Sequence, residues 1–255
     1  MAVTIAYLVF LFAPIALLFI GSFGDTWTNS LLPSGATLRW YQEVVSDPSF
    51  SRAFQTSLVV VAVAGVVNTL IALPAAYAIN SSAHRGVRTA ARIATLMPIA
   101  VPELVLAFGF ILVFSTDTLP WLGSLWLLIA GHMVLTLPYL LNTLLADMAN
   151  LGLAEMEQTA ATLGANFRRR FFDIVLPAVR HSLLSGLVTV AAISIGEFQL
   201  SNLVAGFLSR TYPIVLLQAF YGATGFACAA TVVLLVLAMI AAATGAATAR
   251  AARTG

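Results

Sequence analysis

Two stretches of this chain settle which solvent it folds in. Residues 1–23 carry no charged side chain, and residues 53–83 form a second, longer uncharged run. About 20 apolar residues suffice for a helix to cross the hydrocarbon layer of a bilayer. Within that layer water cannot satisfy the backbone, so a crossing segment must bond to itself as a helix. Further apolar blocks follow, which place six spans at about 3–23, 53–80, 93–115, 121–146, 181–205 and 226–249. Composition agrees, with 60% hydrophobic and 9% charged residues, where a soluble domain has about 25% charged. The expectation is an all-α polytopic membrane protein, one transmembrane domain over residues 1–255. Residues 1–23 also invite reading as a cleaved signal peptide. No basic residue precedes the apolar stretch, which is longer than a usual signal core, so a retained first span is expected.

Breakers mark several of these blocks. Pro74 falls in the second span, Pro98 and Pro102 break the third, and His132 and Pro138 fall in the fourth. A short amphipathic helix is expected over residues 38–45, and residues 206–225 read as a connector. Charge in the loops gives an orientation. With six spans, Arg85, Arg88, Arg92, Arg168, Arg169, Arg170, Arg180, Arg250 and Arg253 share one side, and only Arg39, Arg52 and Arg210 lie opposite. The positive-inside rule puts the first group in the cytoplasm, both termini with it. Net charge is +2 with a pI near 9.0, but the arginines are dispersed between apolar blocks, so no nucleic-acid partner is implied. The single Cys228 has no intrachain partner and reads as a buried, inert thiol.

The longest polar interval, residues 147–180, contains the stretch 153–177, which reads as two short helices and a turn. Residues 154–163 are good helix formers, and Gly164 is a natural stop. Asn166 suits the N-cap of a second helix over residues 167–175, and Pro177 ends that helix or opens the next. Glu155 and Glu157 lie where the helix macrodipole favours acids.

This stretch resembles the cytoplasmic EAA loop in the permease subunits of ABC-type importers. The family pattern is Glu-Ala-Ala, three residues, Gly, nine residues, Ile, one residue, Leu-Pro. Anchored on Gly164, it falls on Gln158, Thr159, Ala160, Gly164, Ile174, Leu176 and Pro177. Gln158 stands where the family has Glu, with Glu157 one place earlier, and Thr159 replaces an Ala. An ordinary amphipathic loop helix is the alternative reading. The resemblance implies a permease of the cytoplasmic (inner) membrane of a prokaryote, with this coupling loop between spans four and five. It implies an ATPase dimer as partner, holding ATP and Mg, docked on Glu157, Gln158, Thr159, Ala160, Gly164, Ile174, Leu176 and Pro177. It further implies a second permease half, identical or different, and an external or periplasmic solute-binding protein. Leu163, Phe167 and Phe171 would fill a groove on the ATPase, and Arg168, Arg169 and Arg170 would pair with its acids or with membrane lipid phosphates.

The chain carries little other chemistry. It has no Lys and therefore no Gly-x-x-x-x-Gly-Lys-Ser/Thr phosphate loop. No Cys-x-x-Cys or His-x-x-x-His cluster suggests a metal, and no catalytic triad or bound cofactor can be argued. His84, His132 and His181 are scattered and read as structural or interfacial. Glu103 and Glu197 stand out because a carboxylate at membrane depth costs several kcal/mol unless paired or wet, and such residues mark translocation pathways by default. The alternative is a carboxyl that stays protonated or finds Ser, Asn or Tyr on a neighbouring helix. Two acids with no intramembrane Arg would favour an amine-bearing solute. The region from Asn202 through Ile214 resembles permeases of polyamine, iron, thiamine and phosphonate importers. An ion-gradient-driven secondary transporter is the alternative, though its usual internal repeat is not visible. A membrane-embedded enzyme would need a convergent catalytic set that is also not visible.

Overall fold

A computed structural model describes residues 1–27, 32–82 and 84–254, with the backbone alone for residues 2 and 240–254. The described residues are helical apart from short connections and two isolated bridge pairs. In chain order the helices are α1 (Ala2–Phe23), α2 (Arg39–Ser46), α3 (Pro48–Ser81), α4 (Arg85–Ala100), α5 (Glu103–Phe114) and α6 (Leu125–Asn150). Then come α7 (Leu153–Thr162), α8 (Phe167–Arg169), a π-helical turn (Arg170–Val175), α9 (Leu176–Gly196), α10 (Gln199–Val204), α11 (Tyr212–Gly222) and α12 (Thr224–Thr254). Four helices are long and apolar enough to cross a membrane: Val3–Phe23, Pro48–Ser81, Leu125–Asn150 and Phe167–Gly196. The pair α4 and α5 adds a fifth if it counts as one broken span.

Several boundaries move. The expected third span, residues 93–115, is two helices meeting at 89°. Pro98 is absorbed inside α4, whereas the chain turns extended at Val101 and Pro102. The expected fifth span, residues 181–205, begins far earlier and stops sooner. Helix runs from Phe167 straight through Pro177 to Gly196, and residues 199–204 form the separate α10. The polar interval 147–180 is therefore mostly helix. Pro177 opens the next helix, the second of the two expectations, because it lies within the first two positions of α9. What precedes it does not end, since the π-helical turn runs directly into α9. Proline has no N–H and its ring crowds the carbonyl four residues back, here that of Asp173. The wider π turn relieves that crowding without breaking the rod. The expected connector over residues 206–225 contains α11.

The chain divides into two units. The first comprises residues 1–56 and 210–255. Its core gathers Val44, Phe50, Ala53, Tyr212, Val215, Ala229 and Ala230. Phe50 meets Tyr212 and Phe226 edge-on, and Tyr212 donates a hydrogen bond of 2.7 Å to the Ala230 carbonyl. Cys228 is free and buried here.

The second unit, residues 57–209, is built on α6 and α9. Gly186 lets them approach, since a side chain there would collide with Leu140. Leu140, Leu144, Met148, Leu153, Val175 and Val179 form one buried cluster with Ala72 and Ala76 of α3. A second cluster, with Val60, Ala107, Leu128, Leu200 and Val204, clamps α10 between α5 and α6. Buried Asn68 of α3 donates 2.8 Å to Thr136 of α6, which donates in turn to the His132 carbonyl at 2.6 Å.

Candidate functional site

The stretch 153–177 folds for local reasons. In α7 the amides of Gly164 and Ala165 donate to the carbonyls of Ala161 and Ala160, both at 3.0 Å. This crossed pair is the Schellman closure, which requires a left-handed residue at its centre. Gly164 supplies it, with φ +83°. The four-residue interval from Ala160 to Gly164 is thus the geometry of a helix stop. Asn166 then caps the next helix, its side chain accepting from the Arg169 amide at 2.9 Å.

Within this stretch the motif residues part company. Glu157, only 4% exposed, turns inward with Leu153, one helical turn earlier. It accepts 2.7 Å from the Tyr77 hydroxyl and 3.4 Å from Ser81, both on α3. Tyr77 also packs edge-on against Phe167 and Phe171, and Arg170 lies close enough to it to interact electrostatically. Gln158 and Thr159 face outward and Ala160 is half-buried. Ile174 packs on the α6–α9 core beside buried Val175, Leu176 is half-buried and Pro177 is exposed. The apolar residues expected to face a partner divide as well. Leu163 is 84% and Phe167 57% exposed, but Phe171 turns into the core; Phe172 takes its place outside.

Glu103 and Glu197 sit at breaks between helices and not inside them. Glu103 opens α5 just after the bend and is half-buried. Glu197 follows the last residue of α9 and caps α10. Its carboxylate accepts from the Leu200 amide at 2.6 Å, the Ser201 amide at 2.9 Å and the Ser201 hydroxyl. His132 of α6 lies 3.6 Å away and bridges Ser194 at 2.7 Å and Ser201 at 3.0 Å. All four side chains are buried. Among the described residues no Arg answers Glu197, as expected, but serine and histidine do: it is a carboxyl that finds partners on neighbouring helices. His132, Ser194 and Ser201 escaped sequence reasoning because they lie on different helices; the one signal was a His amid apolar residues. Among the described residues no three His, Cys, Asp or Glu side chains converge as metal ligands would.

Four apolar helices of spanning length, one broken pair and a capped turn leading into one of those helices are the architecture of a polytopic membrane protein. The model of the family "Binding-protein-dependent transport system inner membrane component" matches residues 68–253. The chain belongs to that family: it is a permease subunit of an ABC importer and not an ion-gradient-driven transporter. It is 27% identical over 196 residues to the protein named as the 2-aminoethylphosphonate transport permease PhnV of Salmonella typhimurium LT2, covering 76% of this chain and 72% of the relative. It is 28% identical to the sulfate transport permease CysT of Escherichia coli K12, covering 70% and 68%. The putrescine transport permease PotI of Escherichia coli K12 is 24% identical, covering 81% and 74%. In fold the chain resembles a subunit in the crystal structure of a bacterial ABC transporter that imports alginate, with a TM-score of 0.71, 16% identity and coverage of 97% and 94%.

Proposed function

We propose that residues 153–177 are the cytoplasmic element through which an ATPase dimer, holding ATP and Mg, drives this permease. The observation that carries the reading is a division of labour within one short helix pair. Glu157 and Leu153 fasten it to the membrane helices, while Leu163 and Phe167 leave an apolar surface beside the Gly164 turn. Large apolar side chains gathered on an exposed turn suit a partner's groove, and a fastened helix passes on displacement where a loose loop would absorb it. Two permease halves enclose the pathway, and an external binding protein delivers the solute. Six spans per half follow if the bent pair counts once and the apolar start of α12, Thr224–Met239, completes the set. Both termini and the 153–177 element then share the arginine-rich, cytoplasmic side.

The solute we infer is small and amine-bearing. Relatives named for 2-aminoethylphosphonate and putrescine support this, and two named for sulfate weigh against it. Glu197 has its acceptors engaged, so Glu103 is the acid with capacity left for a cation. Co-purification tests the coupling reading. Leu163→Asp with Phe167→Asp should leave the permease in the membrane, since both positions are exposed, and should abolish recovery of the ATPase. Undiminished recovery together with ATP-driven uptake would remove the docking assignment.

A further inference from the structure

A cavity of about 230 Å³ opens where the end of α3, the start of α4, the end of α6 and the start of α7 converge. Its polar side chains are Asn80, Arg88, Arg92 and Glu155, with Gly152 and Ala154 also in the lining. Arg88 and Arg92 are one helical turn apart on α4, so both reach the same opening. The ion pairs among the described residues are Arg39 with Asp25 and His132 with Glu197, which leaves both guanidiniums of this cavity without a carboxylate within 4 Å. On the facing wall, at the first turn of α7, the amides of Glu155 and Met156 bond to the Gly152 carbonyl, so the arginines supply the charged donors. Two planar cations without an anion, in a cavity with room for a tetrahedral group, are chemistry suited to phosphate.

We propose that this cavity binds a phosphate-bearing anion, gripped by Arg88 and Arg92 and bridged by it to the start of α7. A bound anion would tie α4 to the helix that carries Glu157, and so set how firmly the 153–177 element is held. Two sources share the chemistry, an anionic lipid headgroup and free phosphate. The surroundings favour lipid, because Val87, Ile93 and Leu151, next in sequence to the lining, are exposed and apolar, as a site flanked by acyl chains requires. Glu155 opposes the anion, so its removal should tighten binding. The inference uses the permease reading only in that a bilayer surrounds these helices; it is independent of which face is cytoplasmic and of ATPase docking.

Thermal unfolding of the full-length chain, purified in neutral detergent with its accompanying subunits, provides the test. Phosphatidylglycerol should raise the midpoint by about 3–6 °C where phosphatidylcholine and matched sodium chloride do not. An equal rise with inorganic phosphate alone would assign the site to a soluble anion. Arg88→Gln with Arg92→Gln should weaken the effect roughly tenfold or more in ligand concentration, and Glu155→Gln should strengthen it. Arg52→Gln, outside the cavity lining, should leave it intact. Arg88→Lys with Arg92→Lys, which keeps both charges, should bind more weakly than the native chain and so show that the cavity survives substitution. No rise with either probe, or a rise that persists in the double Gln variant, overturns the proposal.

Discussion

Glu157 and Glu197 are both buried carboxylates, but different parts of the chain hold them. Glu197 is satisfied chiefly by the amides and hydroxyl just ahead of it, a cap made by its own neighbours. Glu157 depends on α3, and above all on the 2.7 Å bond from Tyr77. Removing one partner of a buried polar pair costs about 1–3 kcal/mol. Tyr77→Phe keeps the ring contacts and deletes that bond alone. It should lower the ratio of solute moved to ATP hydrolysed in proteoliposomes by severalfold while ATPase recovery stays normal. An unchanged ratio would mean that Glu157 is fastened well enough by Ser81 and packing. For solute charge, Glu103→Gln is a cleaner substitution than Glu197→Gln. Gln at position 197 has one acceptor oxygen where the carboxylate uses two, so the cap itself is damaged. With Glu103→Gln, uptake of an amine-bearing solute should fall with normal assembly, and uptake at the native rate would end the amine argument.

The two-helix element shows which parts of such a structure are local. Nothing lies within 4 Å of where a side chain at Gly164 would begin. Its requirement is therefore purely one of backbone, at φ +83°. Gly164→Asn should keep most ATP-driven uptake, because Asn adopts the left-handed region readily, whereas Gly164→Val should lose it. Equal activity in the two variants would show that the Schellman turn is dispensable. This turn, the Asn166 cap and the helix over residues 154–163 were legible because their causes lie within a few residues. The Tyr77 anchor was not, since it joins positions 80 residues apart. Continuity through Pro177 was missed for another reason. Proline usually marks a boundary, and only the π turn ahead of it, invisible to composition, lets the helix continue. The inward turn of Phe171 follows ordinary helical spacing, since it shares a buried face with Ile174, Val175, Ala178 and Val179.

At the scale of the whole molecule the sequence is most informative about solvent and least about pairing. Hydropathy located the apolar part of each of the four long apolar helices among the described residues, though not the ends of Phe167–Gly196, since a stretch in lipid carries few charges whatever it packs against. Pro102 marked the break at Val101–Pro102, although Pro98 makes none. The break at Glu197 was not legible, because it lies within apolar surroundings and is fixed by a cap. The arginine asymmetry yields a direct test of orientation. Arg168→Cys, at an exposed position, should resist an impermeant thiol reagent in intact cells and react after permeabilisation. Labelling from outside would reverse the topology and remove the ATPase from this face.

Between Asn166 and Glu197 the backbone never leaves helical form, so Phe167–Gly196 is a rod of 30 residues, roughly 45 Å long at 1.5 Å per residue. A rod of this kind conveys angle as well as distance. One added residue near Leu184 would shift everything beyond it by about 100°, turning Glu197 away from His132 while leaving the Gly164 turn at the other end untouched. Adding seven residues would restore the angle to within about 20° and lengthen the rod by about 10 Å. The two ends are therefore locked in phase, and the sequence between them is constrained in its length even where its side chains face only lipid.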